Sequence, residues 1–210
     1  MTEEPARRRY DSLRRTAQAQ QTSADIARAA RTLFVAKGWA ATTVRDVARE
    51  AGVSVPTIYA AYGNKNGLTW ALADSADLSA DVSQLLAELE TAPEPPRQLA
   101  AMIAYDRRLF ERAGEVIVLL REAGRTEPEL AQAYRDARNR ADDAHRQVLE
   151  AWPPHTFRPG VDLESALDIY AALCNIDVYT ELTVERGWSP DRVEKWWRSA
   201  VTRELLAESR

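Results

Sequence analysis

Residues able to make or break covalent bonds are scarce in this 210-residue chain: one cysteine, Cys174, and two histidines, His145 and His155. The histidines stand ten residues apart across a helix end marked by Pro153-Pro154, poor geometry for a shared metal. No zinc-type spacing and no glycine-rich phosphate loop occurs. No catalytic residue, metal or cofactor is therefore expected. Two other groups of side chains carry chemical interest. Asp106, Asp177 and His145 fall on otherwise apolar helical stripes, where a buried charge must be paired or must bind something. Hydroxyl and basic side chains also gather between Thr43 and Lys65, a composition suited to phosphates and base edges.

The elements that must position these residues read as helices throughout. Alanine, leucine, arginine and glutamate dominate, with only eight glycines and ten prolines. No β-alternation of useful length appears. Residues 1–20 are polar, lack an apolar period, and read as a flexible arm carrying Arg7, Arg8, Arg9, Arg14 and Arg15. No apolar segment follows the arginine run, so it does not read as an export signal. Thr22 with Asp25 suits a capping box for a first helix carrying Ile26, Ala29, Ala30, Leu33 and Phe34, which Gly38 ends.

Thr43 with Asp46 repeats that signal for a short second helix through Val44, Val47, Ala48 and Ala51. Ser54 caps a third, with Pro56 in its first turn and Thr57, Ile58 and Tyr59 beyond. Asn64 caps a long fourth helix reaching Leu89. After Pro93, Pro95 and Pro96, helices are expected at about 96–113, 115–123, 127–152, 163–186 and 190–207, with breaks at Gly114 and Gly124. The fold class is all-α, about nine helices: an N-terminal three-helix helix-turn-helix domain and a C-terminal helical body. The expected boundaries are arm 1–20, DNA-binding domain 21–80 and body 81–210.

A helix-turn-helix braces one helix against the core and lays a short second helix in the major groove. The string Ala29-Ala30, Leu33-Phe34, Gly38-Trp39, Thr42-Thr43-Val44-Arg45-Asp46-Val47-Ala48, Ala51-Gly52-Val53-Ser54, Thr57-Ile58-Tyr59-Ala60-Ala61-Tyr62, Lys65 and Leu68 closely resembles the TetR family of repressors. The resemblance implies a brace helix over Val44–Ala51 and a recognition helix over Val55–Tyr59. It implies DNA contact by Thr43, Arg45, Ser54, Val55, Pro56, Thr57, Tyr59, Tyr62 and Lys65. Trp39, Tyr62 and the Asn66-Gly67 pair depart from the family's usual residues, and the glycine suggests a soft start to helix four.

Charge agrees with this division. Residues 1–65 hold eleven Lys/Arg against six Asp/Glu, or +5, while residues 66–210 hold seventeen against twenty-six, or −9. A basic head on an acidic body suits a protein whose one end meets DNA.

The resemblance implies a body that holds a small-molecule effector and dimerises through its last two helices. The candidate ligand residues are Tyr105, Asp106, Phe110, Tyr134, His145, Trp152, Tyr170 and Asp177, with internal salt bridges as the competing reading of the charged ones. If Asp106 or Asp177 orients the ligand, a cation or a hydroxyl compound fits better than an acid. The stripe Val193, Trp197, Ala200 and Val201, flanked by Trp196, is expected at the subunit seam. The function read from the chain is a cytoplasmic, ligand-responsive repressor binding a pseudo-palindromic operator as a homodimer. A DNA-binding regulator or architectural protein without ligand response is the alternative. No membrane partner is expected.

Overall fold

A computed structural model describes residues 4–73, 76–91 and 93–207. Among the described residues the chain forms ten α-helices and no strand: α1 (Glu4–Lys37), α2 (Val44–Glu50), α3 (Val55–Tyr62), α4 (Lys65–Ala73), α5 (Ala76–Thr91), α6 (Pro95–Ala123), α7 (Pro128–Glu150), α8 (Leu163–Leu173), α9 (Ile176–Thr180) and α10 (Pro190–Leu205). They divide into two compact units, Met1–Asp74 and Ser75–Arg210.

In the first unit the apolar stripe of α1 does what its spacing predicts. Ile26, Ala29, Ala30, Leu33 and Phe34 are buried with Val47 and Ala48 of α2, Ile58 of α3, and Leu68 and Leu72 of α4. Helix α1, however, starts at Glu4 and not at Thr22. Thr22 sits inside it, donating its hydroxyl to the Gln18 carbonyl instead of capping. Polarity alone pointed to a flexible arm, but the segment is free of glycine and rich in alanine, arginine and glutamine. Those are strong helix formers, and Pro5 lies in the first turn where its missing N–H costs nothing. The side chains of the arm arginines lie outside the described residues. The long fourth helix expected from Asn64 to Leu89 is two helices, α4 and α5, with residues 74 and 75 outside the description.

The second unit is organised around α6, which packs against α5, α7, α9 and α10. Gly114 does not break α6. It is buried within the helix, and a Cβ there would stand 2.9 Å from Ile176 Cδ1, so the glycine admits α9 at close range. The helix expected over 163–186 is interrupted at Cys174-Asn175. Asn175 accounts for both new ends. Its amide donates to the carbonyls of Ala171 and Ala172, and its oxygen accepts from the N–H groups of Asp177 and Val178. A π turn over Glu181–Glu185 follows α9. Ser189 caps α10 as its position before Pro190 predicts.

The stripe Val193, Trp197, Ala200 and Val201 is fully buried within this one chain. Trp197 stacks with Phe110 and Tyr179 at ring separations of 6.1 Å each. The stripe faces its own subunit's core, so it is not the expected subunit seam. Periodicity shows that a face is buried and cannot say against which chain.

Candidate nucleic-acid interface

Both short helices of the helix-turn-helix are closed by the caps their sequence announces. Thr43 Oγ1 accepts from the Asp46 N–H at 3.2 Å, and the Asp46 carboxylate accepts from the Thr43 N–H at 3.0 Å. The Thr43 hydroxyl hydrogen bond and then its backbone N–H hold the Asp46 carboxyl below its usual range, with Arg49 adding to the effect. The box thus occupies the Thr43 hydroxyl and N–H together with the Asp46 N–H. Ser54 Oγ accepts from the Thr57 N–H at 3.3 Å and lies 2.7 Å from Thr57 Oγ1.

These caps fix which face of α3 turns outward. Ile58 is fully buried, Val55 and Thr57 are half-buried, and Ser54, Pro56, Tyr59 and Ala60 are exposed. Tyr59 is 51% exposed. Arg45 is exposed on α2. Tyr62 instead ties α3 to α1, donating its hydroxyl to the Ser23 carbonyl at 3.2 Å. The Lys65 ammonium stands 3.7 Å from the Trp39 ring centroid and 6.0 Å from that of Phe34. Trp39 is in turn anchored by its indole N–H on Thr69 Oγ1 at 2.9 Å. Trp39 and Thr69 thus position Lys65, a cation–π arrangement that holds the charge at the edge of the unit. Sequence reasoning registered Trp39 only as a departure; its spacing from Lys65 gave no signal of the contact.

Gly67 belongs to this geometry as well. Its N–H donates to Asn64 Oδ1 at 2.8 Å, and a Cβ at this position would stand 1.9 Å from the Tyr62 carbonyl oxygen. The glycine expected to soften α4 is what allows the α3–α4 turn to close. Gly67→Ala should destabilise the first unit by about 1–3 kcal/mol through backbone overpacking. A thermal melt that matches the unsubstituted chain would refute this.

The candidate ligand residues separate into distinct groups. Asp106 is buried, and its Oδ2 accepts from the Tyr170 hydroxyl at 2.7 Å and faces His145 Nε2 at 3.5 Å. The His145 and Tyr170 rings lie 4.6 Å apart. Burial, and then the Asp106 charge, push the Tyr170 hydroxyl well above its ordinary range and raise the Cys174 thiol likewise. Neither group is a nucleophile in this setting.

Phe110 packs with Tyr179 and Trp197. Trp152 is buried, donates to Gln98 Oε1 at 2.7 Å, and stacks on Phe157. Tyr105 is half-buried on α6. Asp177 is not buried on a stripe as expected. The break at Asn175 turns it outward to 68% side-chain exposure, where it pairs with Arg121 beside Tyr134.

With this geometry in hand, comparisons place the chain among known proteins. A family model described as bacterial regulatory proteins, tetR family, matches residues 26–72. Two curated Pseudomonas putida proteins, the HTH-type transcriptional regulator TtgR and ArpR, a probable HTH-type transcriptional regulator, are each 29% identical over 196 residues. Each match covers 88% of this chain and 92% of the relative. Among solved structures, a Saccharomonospora viridis transcriptional regulator in complex with choline superposes with a TM-score of 0.73 at 17% identity, covering 90% of this chain and 100% of that one. NalD, the secondary repressor of the MexAB-OprM multidrug efflux pump in Pseudomonas aeruginosa, gives 0.72 at 20%, covering 91% and 100%. These two structures share the fold. Among the described residues no helix is long and apolar enough to cross a membrane.

Proposed function

We propose that this chain is a transcriptional regulator of the TetR family and not an enzyme, a ligand-released repressor that binds a pseudo-palindromic operator as a dimer, a reading supported by the tetR-family match over residues 26–72 and by the two curated relatives. The observation that carries the DNA-binding part is the capped α2–α3 pair, which turns Ser54, Pro56 and the ring of Tyr59 outward from a face sealed by Ile58. Arg45 and the positioned Lys65 add cations suited to the backbone phosphates on either side of a groove-bound helix. The +5 of residues 1–65 favours the same partner.

We place dimerisation on the outward side of the last two helical segments, a reading that their exposed apolar side chains support. There Val184 and Trp196 are 70% and 37% exposed, and Trp196 packs edge-on against Trp188. Effector response is supported by the efflux-pump repressor and the choline-bound regulator that share the fold. In this family setting, the protein would work in the cytoplasm.

The test is fluorescence anisotropy on operator and scrambled duplexes. Tyr59→Ala should weaken operator binding by about tenfold or more, an effect of about 1–3 kcal/mol, and leave scrambled-duplex binding nearly unchanged. Lys65→Ala should weaken both and flatten the salt dependence. Equal losses on both duplexes for Tyr59→Ala would remove α3 as the base-reading element.

A further inference from the structure

Helix α3 (Val55–Tyr62) reads Val-Pro-Thr-Ile-Tyr-Ala-Ala-Tyr and holds no arginine, lysine, asparagine, glutamine, aspartate or glutamate. Those residue types make the hydrogen bonds that tell base pairs apart in a major groove. Arginine and lysine read guanine, asparagine and glutamine read adenine, and carboxylates read cytosine. The hydroxyls that α3 does hold discriminate little. Thr57 and its cap Ser54 turn theirs toward each other, 2.7 Å apart, and Ser54 Oγ also accepts from the Thr57 N–H. A hydroxyl both donates and accepts, so it separates bases poorly even where it reaches them. The Tyr62 hydroxyl is engaged by the Ser23 carbonyl.

The outward surface of α3 is therefore mostly apolar. Pro56, Tyr59 and Ala60 are exposed, and their spacing of i, i+3 and i+4 puts them on one face. Together they present a pyrrolidine ring, a phenol ring and a methyl group. From Pro56 to Ala60 the helix rises about 6 Å, the height of roughly two base steps. In the major groove, apolar side chains recognise the C5-methyl of thymine, which no other base carries there.

We propose that α3 selects its operator by thymine methyl groups, with Pro56, Tyr59 and Ala60 packed on the methyls of neighbouring T·A pairs in each half-site. Arg45 on α2 and Lys65 at the start of α4 serve the phosphates and leave the choice of base beneath α3 to this apolar face. The inference rests on α3 being the base-reading helix and adds what that helix reads.

The test begins with the full chain selecting duplexes from a library with a randomised core. The enriched duplex is then made in three forms for anisotropy: unmodified, with deoxyuridine at the T·A pairs, and with 7-deazaguanine at the G·C pairs. Deoxyuridine lacks only the methyl, and 7-deazaguanine lacks only the N7 acceptor. Each half-site should carry adjacent T·A pairs. Deoxyuridine at one of them should weaken binding about threefold to fourfold, the effect of one buried methyl, and at all of them tenfold or more. The 7-deazaguanine duplex should lose less.

Deoxyuridine also alters duplex stiffness, so protein variants decide whether the methyls touch α3. Pro56→Ser and Ala60→Ser, both at exposed positions, should each lower the ratio of thymine to uridine affinity, and together bring it close to one. Arg45→Ala should weaken both duplexes and keep the ratio. The proposal is overturned if deoxyuridine is tolerated throughout, if 7-deazaguanine loses more than deoxyuridine, or if the ratio is unmoved in the double serine variant. Failure to enrich any sequence is a separate result, which removes the operator reading itself and this inference with it.

Discussion

Trp197→Glu is expected to unfold the C-terminal unit, whereas Trp196→Glu, one residue earlier, leaves it folded and monomeric. Trp197 is fully buried in its own chain, against Phe110 and Tyr179. Loss of its packing alone costs about 3–5 kcal/mol, and an unpaired carboxylate in the same place adds several more. Against a typical domain stability of about 5–15 kcal/mol, little folded protein should survive. The Trp197 indole N–H is buried without an acceptor among the described residues, so packing and not hydrogen bonding holds the ring. Trp197→Phe should consequently be far milder than Trp197→Ala. Trp196, 37% exposed, flanks the Trp197 stripe, and a charge at this partly solvated position costs the isolated subunit far less. Circular dichroism and sedimentation at micromolar concentration separate the outcomes. A folded monomer from Trp197→Glu would return that stripe to the subunit seam.

Asp106→Ala is the second large loss expected, about 3–5 kcal/mol, because it strands the Tyr170 hydroxyl and His145 in the core. Tyr170→Phe should cost less, since it removes a donor and leaves the carboxylate facing His145. The cluster also makes stability depend on pH. Burial alone would lower the pKa of His145, but the charge of Asp106 and its hydrogen bond, with Asp142 on the same helix, outweigh it and raise the value above 6.5. The imidazole therefore holds its proton more tightly folded than unfolded. Its contribution is complete below about pH 6.5 and is lost as pH rises through the elevated folded value. Melting temperatures from pH 5.5 to 8.5 should fall for the unsubstituted chain relative to His145→Gln. Parallel curves would show that the proton contributes nothing.

Most cap signals were legible because one side chain acts on its own backbone, although Thr22, which reads as a cap, lies inside α1. Thr43 with Asp46, Ser54, Asn64 and Ser189 all cap as their spacing predicts, since a cap is settled within four residues. The stripe of α1 was legible for the same reason: its period reports burial directly. Asn175 was legible in principle, an amide in an apolar run, but the run's hydrophobicity outweighed it and hid the break that turns Asp177 outward.

Other features are tertiary and had no local signature. Gly114 and Gly67 read as a breaker and a weak spot because glycine's meaning depends on what approaches it, here Ile176 and the Tyr62 carbonyl. Lys65 over Trp39 joins residues whose rings and charges meet only after α1 and α4 pack. Sequence by itself determined the helix-turn-helix and the apolar faces of α1 and α10, because caps and periods are short-range. Only the tertiary structure decided what each face is buried against, because that depends on how helices distant in the chain pack together.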